Sequence, residues 1–177
     1  MDFFRVLYSN DYAKKNGKFG IVNSVPELND NLFSDGESFD FKTTPDVEFF
    51  MEGGPEKSLA DFQMMYYPWR LISKKLYTIL SDFSDSEMVC YHPVYISIRG
   101  NDAETFYLMH FLRKLDVLDK KKTGESLIQP VLDVKKMKGE KIFIYKEFDP
   151  SIFCVDKVVK DLMVSERITG CSFQKIS

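Results

Sequence analysis

The sequence predicts an α+β protein: a mixed or antiparallel sheet with about three helices and a β- and turn-rich N-terminal third, in one domain spanning residues 1–177. Two observations carry this prediction. Apolar side chains recur at helical spacing behind polar capping residues, as at Asp156 followed by Val159, Leu162 and Met163. Short β-prone runs such as FFRVLY at 3–8 and KIFIYK at 141–146 separate those helical stretches. A chain of 177 residues with 44% hydrophobic content, 16 Phe and 9 Tyr can bury one sizeable, phenylalanine-rich core.

Taken in order, Phe3 to Tyr8 reads as the first strand. Residues 9–60 are punctuated every few positions by Asn, Asp, Gly, Ser and Pro, with short apolar pieces at Gly20–Val22 and Val47–Met51, so turns and short strands are expected there. Leu71-Ile72 reads as a strand end and Ser73 as the cap of a helix whose apolar face carries Leu76, Ile79, Leu80 and Phe83. Met88 to Ile98 is β-prone, and Pro93, which lacks a ladder donor, points to an edge or a bulge. Asn101 and Glu104 have capping-box spacing, and Phe106, Met109, Leu112 and Leu115 predict a long amphipathic helix reaching about Asp119. Leu127 to Val134 reads as extended and Lys141 to Lys146 as a strand. The helix after Asp156 is closed by Thr169-Gly170, and Cys171 to Ile176 resumes as a strand. Ile72-Ser73-Lys74-Lys75-Leu76 and Val155-Asp156-Lys157-Val158-Val159 share one plan, which fits either an internal duplication or two independently capped units.

Charge is distributed unevenly. The net charge is −3, but residues 27–56 hold nine acids against the one base Lys42, a balance of −8, which leaves +5 for the rest of the chain. Such an acidic segment repels phosphate backbones and attracts basic proteins, so a protein partner is expected and nucleic acid is not. Glu27, Asp30, Asp35, Glu37, Asp40, Asp46, Glu48 and Glu52 are the candidate partner-binding residues. The aromatic stretch from Phe62 to Arg70 has the composition of interface hot spots, but reads as core before it reads as surface. No segment has the roughly 20 apolar residues of a membrane helix and no leader pattern opens the chain, so a soluble, cytoplasmic protein is expected. Cys90, Cys154 and Cys171, without CxxC spacing, read as reduced thiols.

Residues that could carry chemistry are few. Cys90 and His92 fall on one face of a strand, which permits a nucleophile pair or half a metal site, yet a metal needs about four ligands and a catalytic pair needs an orienting partner. His110 falls on the long predicted helix. The pairs Asp82/Asp85 and Asp116/Asp119 have i,i+3 spacing and read as solvated helix ends. Arg113, Lys114 and Lys120–Lys122 suit a helix C-terminus, where cations oppose the macrodipole. The glycines of 17–20 and 53–54 fit no phosphate-binding pattern. No catalytic residue, cofactor or metal is therefore expected.

The C-terminal two thirds carry a likeness. Leu71 to Leu76, Tyr91 to Ile96, Phe106 to Asp119, Ile142-Phe143, Ile152 to Asp156 and the closing Ile168-Thr169-Gly170-Cys171-Ser172-Phe173 resemble immunity protein family eleven of bacterial polymorphic toxin systems. The likeness spans roughly residues 60–176 and, in the N-terminal third, only the opening strand, leaving 1–60 as a variable acidic part and 61–177 as the family-like part. Arg167 stands where that family usually closes the last helix with glycine. The resemblance implies a non-enzymatic cytosolic protein of interbacterial competition that binds and neutralises one cognate toxin domain encoded by the adjacent gene. An adaptor in a larger assembly, or a small Cys/His hydrolase, are the alternatives.

Overall fold

The computed structural model describes residues 2–9, 18–25, 36, 48–53, 57–65, 69–98, 102–123, 130–137, 139–146 and 152–176. Among them lie ten strands and three helices, a mixed α+β architecture as expected. The strands are β1 (Phe3–Tyr8), β2 (Ile21–Val25), β3 (Glu48–Glu52), β4 (Phe62–Gln63), β5 (Arg70–Ser73), β6 (Val89–Ile98), β7 (Asp102–Phe111), β8 (Ile142–Phe143), β9 (Phe153–Asp156) and β10 (Cys171–Ile176). The helices are α1 (Lys74–Ser81), α2 (Lys120–Thr123) and α3 (Lys157–Ser165), with a 3-10 turn at Val134–Lys136.

A four-stranded sheet in the order β10-β1-β9-β8 is antiparallel throughout. A six-stranded sheet in the order β2-β3-β6-β7-β5-β4 is antiparallel except where β3 runs parallel to β6 at Phe49 and Ile96. One core joins the two sheets and the helices: Val6, Phe62, Ile72, Leu80, Phe153 and Met163 all belong to it. Each such side chain contributes about 1.5–3 kcal/mol by leaving water.

The two predicted caps hold. Ser73 Oγ accepts from Leu76 N at 3.2 Å to start α1, and Asp156 Oδ1 accepts from Val159 N at 2.9 Å to start α3. The same arrangement occurs twice around these caps. In the first unit Phe62 faces Ile72 between β4 and β5, Ser73 faces Phe106 between β5 and β7, and Phe106 faces Val94 between β7 and β6. In the second, β8, β9, β1 and β10 take those places with Ile142 facing Val155, Asp156 facing Phe3, and Phe3 facing Ile176. Each capping residue donates its backbone N–H to the residue before the outer strand, Ser73 to Asp61 O at 2.8 Å and Asp156 to Lys141 O at 2.9 Å. A helix-to-strand contact also recurs: Tyr77 stacks on Tyr107 at 4.1 Å and Lys160 lies over the Phe4 ring at 5.4 Å. The echo in the sequence is thus a repeated unit, whose second copy is completed by the N-terminal strand.

The long helix expected from Asn101 to Asp119 is not formed. Asp102–Phe111 is a strand paired along its whole length with β6, and Asn101 lies outside the described residues. The reason is burial on both faces. Phe106 and Leu108 enter a core with Leu71, Val94 and Ile96, while Met109 and Phe111 enter the main core on the other side. A strand covered on both faces reads as a nearly continuous apolar run, which mimics a helical stripe. Beyond it, Leu115 N donates to Ile144 O at 2.9 Å and Lys146 N to Leu115 O at 3.1 Å, so the chain at Leu115 runs parallel to the segment that follows β8 of the four-stranded sheet. Asp116 and Asp119 therefore share no helical face, Asp82 is the C-cap of α1, and Asp85 lies in the turn before β6. Pro93 breaks no register, so there is no bulge. Among the described residues β3 meets β6 at Ile96 and Ser97, beyond Pro93, and none pairs with β6 at Pro93 on that side. Of the 127–134 segment expected to be extended, 127–129 lie outside the described residues, Leu132 bridges to Leu118, and Val134 starts the 3-10 turn.

Candidate functional site

The acidic candidates divide sharply. Glu27, Asp30, Asp35, Glu37, Asp40 and Asp46 lie outside the described residues. Glu48 and Glu52 open and close β3, opposite Val25 and Ile21 of β2. Alternation puts both on one side of the strand while Phe49 points into the core. Glu48 is exposed, and Glu52 accepts a hydrogen bond from Asn23 Nδ2 at 3.2 Å. Gly36, in the middle of the acidic stretch, donates its backbone N–H to Phe111 O at 2.8 Å, and a Cβ added there would lie 3.7 Å from the aliphatic part of Lys114.

Lys114 belongs to a strongly charged concavity. A cleft of about 330 Å³ is lined by Arg113, Lys114, Lys136 and Lys146 together with Asp116 and Glu140. A neighbouring hollow of about 430 Å³ shares Asp116 and Lys136 and adds Lys120 and Lys121. The platform beneath is fixed: Val117, Leu118, Leu132, Met137 and Tyr145 are buried together, and Asp133 N donates to Val117 O at 2.7 Å. Side chains alternate along 113–117, so Leu115 and Val117 turn inward while Lys114 and Asp116 stay exposed. Arg113 and Lys114 follow a strand, so the helix-terminus explanation for these cations does not apply; only Lys120–Lys122 sit in a helix, one turn long. The signal was in the sequence: residues 113–146 carry ten bases and five acids, the entire +5 outside the acidic segment. The mistaken helix concealed its meaning.

The aromatic stretch is mostly core, as expected. Phe62, Met65, Trp69 and Arg70 are buried, Met64 is exposed, and Tyr66–Pro68 lie outside the described residues. Arg70 donates from Nε to Ile152 O at 2.8 Å and packs over the Phe111 ring. Cys90 and His92 share a strand face, and the register puts His110 directly opposite Cys90, a pairing that the helical reading could not reveal. His110 is buried, and burial lowers the His92 pKa from its ordinary value. Among the described residues no group of three or more His, Cys, Asp or Glu could hold a metal ion. Burial raises the Cys154 thiol far above its usual range, and it pushes Cys171 up to about 12 with help from the Asp61 charge. Neither supplies a thiolate at neutral pH. No helix among the described residues is long and apolar enough to cross a membrane.

A family model matches residues 6–177, nearly the whole chain, and its description is Immunity protein family (Imm11). The chain belongs to the Imm11 immunity protein family. No relative among the curated proteins matches the sequence. The Imm11 match reaches well N-terminal of the residue 60 limit of the sequence likeness and takes in the acidic segment. In this Imm11 chain the closing Thr169-Gly170 is structural. Asp61 accepts from Thr169 N at 2.9 Å, from Thr169 Oγ1 at 2.8 Å and from Ser73 Oγ at 2.7 Å, tying the cap of α1 to the turn after α3. Gly170 has φ +77, and a Cβ there would lie 2.2 Å from Phe62 O, so only glycine fits.

Proposed function

We propose that this chain is a non-enzymatic immunity protein that works as one domain in the cytosol, binding a cognate toxin domain and neutralising it. Membership of Imm11 across residues 6–177 carries the reading. The toxin is expected to be encoded next to this protein. In this reading the acidic segment, including Glu27, Asp30, Asp35, Glu37, Asp40, Asp46, Glu48 and Glu52, speeds encounter with a toxin that is basic on its working face. The −8 balance of residues 27–56 in a chain of net −3 supports that assignment.

The test has two stages. Cells expressing the C-terminal domain encoded immediately upstream should stop growing, and co-expression of this protein should restore growth and give a complex that co-purifies. A toxic domain without rescue overturns the pairing, and a harmless one favours the adaptor reading. With the complex in hand, Asp35→Asn, Glu37→Gln and Asp40→Asn together should slow association and flatten its salt dependence. An unchanged rate removes the acidic segment from the interface. Rescue by a folded His92→Ala variant, also expected, excludes Cys/His catalysis.

A further inference from the structure

The charge of this chain is divided between two segments. Residues 27–56 stand at −8, residues 113–146 at +5, and everything else sums to zero. The basic part is built around a hollow on a rigid floor. Three of its carboxylates are engaged locally: Asp116 pairs with Lys146 at 3.8 Å, Asp119 with Lys122 at 3.4 Å, and Asp133 accepts from Lys135 N at 3.2 Å to cap the 3-10 turn, while Glu140 also lines the cleft. Lys114, Lys121, Lys135 and Lys136 are exposed and make no ion pair among the described residues. Val134, next to Asp133 and Lys135 in the chain, leaves 44% of its surface in water.

We propose that the trough formed by residues 113–121, 133–137 and 139–146 is a second docking surface, which receives a carboxylate-rich segment of the toxin domain. The inference rests on the immunity reading and extends it: opposite charges on two surfaces orient the partner, where one charged patch would only attract it. A protein fits better than a nucleic acid. Asp116, Asp119 and Asp133 interleave with the lysines and would repel a continuous phosphate backbone, and no exposed aromatic lines the hollow for bases to stack on. The exposed Val134 is also what a protein surface would cover.

The measurement is binding of the neighbouring gene's toxin domain to wild type and to Lys114→Glu/Lys136→Glu, at low and high salt. Both lysines are exposed, so melting curves should agree and confirm the fold. The double variant should bind about tenfold or more weakly, with a shallower salt dependence, while Lys114→Arg/Lys136→Arg and the control Lys74→Glu, exposed at the start of α1, bind as wild type. If wild type forms the complex and the double variant binds equally well, the trough proposal falls and the immunity reading stands. If wild type forms no complex, the immunity reading falls first. A double variant that binds normally but loses stability at low salt would mean that the cations serve the chain's own fold. Retention of a labelled oligonucleotide by wild type at physiological salt, lost in the double variant, would make the trough a nucleic-acid surface and overturn the proposal.

Discussion

Arg167 has φ 55, in the left-handed region, where a Cβ crowds the following carbonyl. It is held there by a Schellman closure of α3: Ile168 N donates to Met163 O and Arg167 N to Val164 O, each at 3.0 Å. The family resemblance located this strain, because arginine stands where that family usually has a glycine cap. Arg167→Gly should therefore stabilise the protein by about 1 kcal/mol in urea denaturation; a destabilised variant would mean that contacts of the Arg167 side chain outweigh its backbone strain. Asp61 shows the opposite case, a residue with no local signal. Its carboxylate accepts three hydrogen bonds from residues 12 and 108 positions away in the chain, which no reading of neighbouring residues can foresee. Asp61→Ala should cost about 2–3 kcal/mol in the same assay, since it leaves Thr169 N and two hydroxyls without their acceptor. Loss of less than about 0.5 kcal/mol would assign the turn's stability to Gly170 alone.

At the scale of elements, α1 and α3 were legible because a helix start is a local event: a side-chain oxygen reaching a backbone N–H three residues on. β7 was not, because whether Phe106 to Phe111 forms a helix or a strand depends on what covers its two faces, and those partners come from β5, β6 and the main core. The repeated unit makes its own prediction. β10 and β1 are antiparallel neighbours with Phe3 opposite Ile176, as β6 and β7 are with Ile98 opposite Asp102. A chain that joins Ile176 to Phe3 through a loop of about three residues, opened between β6 and β7, should fold with the same circular dichroism spectrum and a similar melting temperature. An unfolded permutant would show that covalent closure of the β6–β7 hairpin is required for folding.

For the molecule as a whole, Cys154 reports on cooperativity. It is completely buried where β9 meets the covering layer of Val117, Leu118 and Met137, and burial holds its thiol protonated. Under native conditions a thiol reagent should modify half-exposed Cys90 first, Cys171 slowly, and Cys154 only at the rate of global unfolding. Rapid labelling of Cys154 would mean that the 113–137 layer opens by itself. That layer also shows where sequence reading stopped. By itself the sequence determined the α+β class, the two caps, the turn before the last strand and the division of charge along the chain, because each is written in residue type and short-range spacing. Only the tertiary structure decided that Phe106 to Phe111 is a strand, that β1 completes the unit begun by β8 and β9, that His110 faces Cys90, and that six cations of 113–146 line two adjoining hollows. Those outcomes depend on burial by residues distant in the chain, a quantity that local spacing does not contain.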